Sequence, residues 1–214
     1  GVSLRSATAR DVLAEQNNLY TLAILDKNIS YQVIGAVKEL LVASEQTHEV
    51  ITRMSAASTK LVTLTITEKG YCLAADGSLD LNHNDIKLDL ANPSAPTSAI
   101  GFIVEALKTR QLNGISAFNV LSCDNVSGNG DKLRRAVLDY ANQLDANLKS
   151  WIKNNVAFPN AMVDSITPKT EDYTIESVSK AIGMQDNWPI QREEFTQWVI
   201  ENNWQGERPN WAAV

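Results

Sequence analysis

Cysteine, histidine and basic tracts are all scarce in this 214-residue chain, and each scarcity excludes something. The two cysteines, Cys72 and Cys123, stand far apart with no CxxC, so a disulfide framework is excluded. Reduced thiols in a cytoplasmic protein are the expectation. The two histidines, His48 and His83, share no ligand-like spacing, and no metal site is expected. The formal net charge is −6 without a basic run, which argues against nucleic acid as a partner. No apolar run reaches membrane-spanning length. The opening GVSLRSATARDVL lacks the basic head and apolar core of a secretion signal. The triplets Asn28-Ile-Ser30 and Asn125-Val-Ser127 therefore have no secretory context that would make them glycosylation sites. Also missing are a P-loop, a GxSxG elbow, a spaced Ser/His/Asp set and a GxGxxG fingerprint, for which Gly128-Asn-Gly130 is no substitute.

The remaining composition is that of a globular domain, 44% hydrophobic and 21% charged, with enough length for one ample α/β unit. Neither a repeat nor a linker divides the chain. Gly1–Leu4 reads as a strand end, Arg5–Thr8 as its exit loop and Ala9–Gln16 as a helical turn. Two extended runs, 19–25 and 30–37, flank Asp26-Lys27-Asn28 as a hairpin. The segment 40–54 suggests one or two helices. Lys60–Thr67 (KLVTLTIT) is the clearest strand, its β-branched residues suiting cover on both faces. Residues 73–92 show no period and read as a long excursion. Thr97 or Ser98 caps a helix that Gly114 ends. Residues 133–152 keep three-and-four spacing, as one helix or a pair broken near Asp145. A capped helix over 174–184, a late strand over 195–200 and an exit segment over 204–214 complete the chain. Strands alternating with helices predict an α/β fold, Rossmann-like, with a mainly parallel sheet flanked by helices and an early β-hairpin.

Three apolar runs empty into polar residues: at Thr67-Glu68-Lys69, at Asp124-Asn125 and at Asp164-Ser165. In parallel sheets such carboxyl ends form the rim where ligands bind. Asn125 offers an amide that can donate to an oxygen gaining negative charge; equally, Asp124 and Asn125 suit a turn and a helix cap. Glu68 can carry protons, or pair with Lys69 or Arg5. Asp164 can hold a substrate hydroxyl, or cap a turn before Pro168. The five tryptophans read as packing residues rather than a stacking platform.

TITEKGYC (65–72), VLSCDNVSGNG (120–130), FPNAMVDSITP (158–168) and FTQWVIENNW (195–204) resemble the mannitol dehydrogenase and fructuronate reductase family, the polyol-specific long-chain dehydrogenases. The resemblance runs from GVSLRS to RPNW. It implies a Rossmann-type nicotinamide-binding domain, a mostly helical carboxyl-terminal domain bearing a catalytic lysine, and no zinc. By resemblance, Asn125 matches the amide that polarises the reacting oxygen, and Glu68 a carboxylate linked to proton passage. Thr67, Glu68, Val163 and Asp164 match positions lining the cofactor and substrate region. NAD is the expected cofactor, and because the exit loop Arg5-Ser6-Ala7-Thr8 holds no acid for the adenosine ribose and its Arg and Ser could tolerate a 2′-phosphate, NADP is possible. Where the family has an arginine after MVD, this chain has Ser165. The family's glycine-rich loop is expected upstream of Gly1 and its lysine beyond Val214. On that expectation residues 1–214 are a partial cofactor-binding domain without activity alone. The implied reaction interconverts a sugar alcohol and a ketose. A fructuronate or mannonate reductase, and a non-catalytic α/β binding module, remain as alternatives. The oligomeric state is left open.

Overall fold

The structure is a computed structural model that describes residues 1–208, 210 and 211. The last part of the expected exit segment, Pro209 and residues 212–214, lies outside the described residues. Two compact units are present: residues 1–46 with 164–197, and residues 47–163 with 198 onward. Elements are numbered in chain order.

The first unit contains β1 (Val2–Ser3), α1 (Thr8–Ala14), β2 (Tyr20–Leu25), β3 (Ser30–Ile34), β4 (Leu41–Val42), α8 (Asp172–Ile182) and β8 (Ile190–Glu193). β1 and β4 pair in parallel, Val2 opposite Leu41, through bonds that include Ala43 N to Ser3 O at 2.8 Å. This corrects the helical reading of 40–54: Leu41–Val42 is strand, because Leu41 N and Ala43 N donate to Gly1 O and Ser3 O of the chain's first segment, and the helix begins only at Thr47. β2 and β3 form the expected antiparallel hairpin, with Tyr20 opposite Ile34. On its other side β2 pairs in parallel with β8, Leu22 opposite Ile190. Helix α8 stops at Gly183, whose φ of 72° is the left-handed closure that glycine tolerates. Just beyond it, buried Asp186 accepts Thr21 N at 2.6 Å, Trp188 N at 2.8 Å and Gln16 Nε2 at 2.9 Å. Burial works against this carboxylate's charge, but the donors outweigh it and hold its pKa below the ordinary value.

The second unit contains α2 (Thr47–Ser55), β5 (Leu61–Leu64), α3 (Thr67–Gly70), α4 (Asn84–Ala91), α5 (Ala99–Leu112), β6 (Asn119–Ser122), α6 (Asn129–Leu144) and α7 (Ala146–Asn155). β7 (Ala161–Asp164) and β9 (Gln197–Ile200) pair with each other, mostly within this unit. β5 and β6 are parallel neighbours, with Leu64 opposite Ser122. Every residue of β6 is buried, and the core gathers around it from α5 (Ile100, Ile103, Leu107), α6 (Leu133, Val137) and α7 (Leu148, Ile152). The break between α6 and α7 falls at Asp145, whose side chain accepts Asn147 N and caps the second helix. Arg110 of α5 is fully buried, and burial lowers its pKa. It donates to the carbonyls of Ser116, Thr59 and Ala56, with its guanidinium 4.8 Å from the centre of the Phe118 ring.

Helix α4 lies inside the stretch read as a structureless excursion. It shows no apolar period because it exposes Leu88 and buries Asp89, reversing the amphipathic pattern. The buried carboxylate of Asp89 accepts Thr97 N at 2.7 Å, Thr97 Oγ1 at 2.8 Å, Ser98 N at 3.0 Å and Ser98 Oγ at 2.5 Å. Ser98 in turn caps α5 by accepting Gly101 N at 2.9 Å. Asp89→Ala strands these donors and should destabilise the protein by about 3 kcal/mol, with Asp89→Asn milder, as measured by denaturant unfolding.

A pH dependence follows from Asp186. Its folded pKa is lowered, so its stabilisation is complete above the unfolded value of 3.8 and is lost as pH falls through the folded value. Unfolding midpoints measured on acidification should therefore fall less steeply in Asp186→Asn than in the parent.

Candidate active site

The last ladder bond between β5 and β6 runs from Cys123 N to Leu64 O at 2.7 Å. Beyond it the two chains separate, and the expected strand over 60–67 is cut short at Leu64. The cause is Asp124. Its Oδ1 accepts Thr67 N at 2.9 Å and its Oδ2 accepts Ile66 N at 3.2 Å, which turns the chain out of the sheet into α3. Thr67 is forced to φ 61°, where a β-branched residue is an outlier costing about 1–2 kcal/mol. Tyr71, at the end of the turn, donates its hydroxyl to Asp124 Oδ2 at 2.9 Å and sits 2.5 Å from Ser122 Oγ. Asp124 N donates back to Ser122 Oγ at 3.1 Å, closing the set. Burial first, opposed by the bond to Ser122 and reinforced by Asp124, pushes the Tyr71 phenol well above its usual range, so it stays a donor.

The exits of β5 and β6 thus stand together on one rim of the second unit, carrying Thr67 and Glu68 on one side and Asn125 on the other. All three are exposed. Burial, and then Asp124's charge, push the Cys123 thiol up, away from the thiolate form.

Asn125 opens onto a cleft of about 530 Å³ lined also by Gly128, Asn160, Met162, Val199 and Glu201. Asn160 lines this cleft, and Asn129 is buried behind it, bonded to the lining residue Ala161. Asn129 is buried and donates from Nδ2 to Asp124 O at 2.9 Å and Ala161 O at 2.8 Å, while its Oδ1 accepts Ala161 N at 3.0 Å. Asn160 Oδ1 accepts the first free amides of α6, Gly130 N at 2.9 Å and Asp131 N at 3.2 Å. The amino end of α6 is therefore already capped from β7's lead-in and is not a vacant anion site. Neither asparagine stands out in the sequence; the one available signal is Gly130. A Cβ there would lie 2.5 Å from the carbonyl oxygens of both Phe158 and Pro159.

The other sequence-predicted positions are placed as follows. Val163 is half-buried on β7, in the second unit. Asp164, at the end of the same strand, is exposed and belongs to the first unit, as do Arg5 and Ser6. Arg5 and Ser6 are exposed in the loop after β1, where Ser6 Oγ donates to Thr8 Oγ1 at 3.0 Å. Ser165 Oγ is buried and has no hydrogen-bond partner among the described residues. Among those residues no group of three or more His, Cys, Asp or Glu is placed to hold a metal, and no helix is long and apolar enough to cross a membrane.

Parallel strands flanked by helices, with polar groups at their carboxyl ends, define a Rossmann-type α/β fold. The chain belongs to the mannitol dehydrogenase family, whose Rossmann-domain model matches residues 1–213. It is 45% identical over 205 residues to the D-mannonate oxidoreductase of Escherichia coli K12, covering 94% of this chain and 42% of that protein. Against the mannitol 2-dehydrogenase of Phaeosphaeria nodorum it is 38% identical, covering 98% and 38%. Its fold is similar, with a TM-score of 0.95, to that of Pseudomonas fluorescens mannitol 2-dehydrogenase in a ternary complex with NAD and D-mannitol, at 41% identity, covering 100% of this chain and 44% of that one. The chain spans less than half the length of these relatives.

The two glycines at the start of α6 should respond differently to alanine. At Gly130 the new Cβ meets two backbone oxygens, and Gly130→Ala should cost about 3 kcal/mol. At Gly128, with φ 63° and nothing within 4 Å, Gly128→Ala should cost only about 1 kcal/mol of backbone strain. Chemical denaturation of the two variants gives the ranking.

Proposed function

We propose that the whole protein is an NAD(P)-dependent oxidoreductase that interconverts a sugar alcohol and a ketose by hydride transfer. This chain would form part of its nicotinamide-cofactor domain. The observation that carries this reading is the likeness, over the full chain, to a mannitol 2-dehydrogenase solved with NAD and D-mannitol. The site agrees with that chemistry: an exposed amide, Asn125, stands over a cleft at the carboxyl end of a buried parallel strand.

In this reading Asn125 donates to the substrate oxygen and stabilises the negative charge that develops on it. Glu68, exposed at the neighbouring exit, passes protons between the site and water. Asp164 holds a substrate hydroxyl. Arg5, Ser6, Thr67, Glu68 and Val163 hold the cofactor. The exposed guanidinium and hydroxyl after β1 suit a ribose or phosphate oxygen, and accept NAD or the 2′-phosphate of NADP. When bound, the nicotinamide supplies the hydride acceptor or donor. The general base is assigned to no residue of this chain. The likeness to a D-mannonate oxidoreductase supports a second reading, reduction of a sugar acid such as fructuronate. Two cysteines that form no disulfide suit a reducing compartment such as the cytoplasm.

Kinetics of the whole protein on D-mannitol and D-mannonate, each with NAD and NADP, separate the readings. The expected result is NAD-linked turnover of mannitol that falls roughly 10²- to 10³-fold in kcat on Asn125→Ala. Preferred turnover of mannonate favours the second reading. No turnover of either, by a correctly folded whole protein, leaves a binding module and overturns both.

A further inference from the structure

We propose that Asp124 is a positioning residue: by holding Thr67 in the left-handed region, it sets where Glu68 and its turn stand beside Asn125. The inference rests on the reading of Glu68 and Asn125 as site residues, and adds to it a group that touches neither substrate nor cofactor.

Three observations carry it. First, Asp124 is buried next to the exposed Asn125, and its carboxylate is spent on the opposite strand exit: Thr67 N at 2.9 Å, Ile66 N at 3.2 Å and Tyr71 Oη at 2.9 Å. Those donors lie 53 to 58 residues away in the chain, so the contact couples the two candidate site segments and not a local turn. Second, the turn it holds is unfavourable by itself. Thr67 at φ 61° opens it and Cys72 at φ 52° closes it, neither being glycine. Conformations of this kind persist only where the surroundings over-determine them, and they gather at functional sites. Third, the clamp leaves Asp124 little freedom to relax. Ser122 is fully buried, accepts Asp124 N and contacts the Tyr71 hydroxyl, so a shift of one member breaks a bond to another. Glu68 follows Thr67 directly, and its carbonyl accepts Tyr71 N at 3.3 Å, inside the turn that Asp124 holds. The direction of its backbone is that of the strained residue before it.

The test uses the whole protein and a double-mutant cycle. Asp124→Asn keeps the shape but weakens acceptance from the two amides. It should lower kcat roughly 10- to 100-fold, the scale of a misplaced catalytic group, with a smaller change in substrate KM. It should also distort the pH profile of kcat in the direction that Glu68→Gln does. Thr67→Gly removes the side-chain penalty at positive φ, so Asp124→Asn should cost clearly less kcat in the Thr67→Gly background than in the parent. Equal costs in both backgrounds, or a lowered unfolding midpoint with kcat and pH profile unmoved, overturn the proposal. Tyr71→Phe, which removes one contact without altering charge, should give a weaker effect of the same sign and replaces Asp124→Asn if that variant does not fold. Hydrogen exchange at the Ile66 and Thr67 amides, faster in Asp124→Asn if the clamp is real, reads the positioning independently of turnover. Unchanged kcat in both Asn125→Ala and Glu68→Gln overturns the underlying site reading instead, and the exchange result then stands alone.

Discussion

A parallel ladder must stop somewhere, and the amides just beyond its last bond need partners. In the second unit this constraint falls on Ile66 and Thr67, and one carboxylate meets it. Because Asp124 lies on β6, satisfying those amides ties the exit of β5 to the exit of β6. The length of β5, the left-handed Thr67, the turn of α3 and the burial of Tyr71 all follow from that tie. Water would satisfy the same amides, but it would leave the two exits free to move apart.

The same device recurs where regular structure ends. Asp89 gathers the amides ahead of α5, Asp186 those at the start of β2 and before β8, and Asn160 those at the start of α6. Arg110 does the inverse, supplying donors to carbonyls left over after α2 and before β6. Each of these side chains is polar, removed from bulk water or fixed by several partners, and bound to backbone rather than to an opposite charge. A hydrogen bond from an ionised group to backbone amides is about twice as strong as a neutral one, and it needs no second buried charge to be desolvated. In the second unit these polar caps accompany the apolar packing around β6. The ion pairs of Arg10 with Glu45 and Arg53 with Glu49 lie at the surface, where such contacts contribute little.

How far the sequence foretold this depends on whether the cause is local. The hairpin is a local feature, set by a few adjacent residues, and was legible, while the Ser98 cap and the break at Asp145 were each one of two readings the local residues allowed. The fold class followed from their order. What was not legible depends on distant partners. Leu41–Val42 is strand only because β1 lies beside it, and KLVTLTIT stops at Leu64 only because Asp124 reaches across. Helix α4 was hidden because its buried face carries an aspartate, a choice explained by Thr97 and Ser98 and by nothing within the helix. At the site, Thr67, Glu68 and Asn125 were picked out by the rule that parallel strand exits bind ligands. Asn129 and Asn160, which bond to backbone on the other side of the cleft, carried no pattern a reader of the sequence could use.

Around the cleft, fixed groups and free groups alternate along the chain. Ser122, Asp124 and Asn129 are buried and fully engaged, whereas Asn125, between the last two, is exposed at the cleft wall. On the opposite exit Ile66 and Thr67 are held by their amides while the side chains of Thr67 and Glu68 face outward. This is the arrangement a preorganised site requires, since a donor aimed at developing charge is worth most when its backbone need not reorganise as the charge appears. An asparagine on a mobile loop could make the same contact but would have to be ordered by the ligand, at a cost set against binding. The role proposed for Asn125 therefore depends less on the amide itself, which any turn could present, than on the hydrogen bonds that hold Asp124 and Asn129 on either side of it.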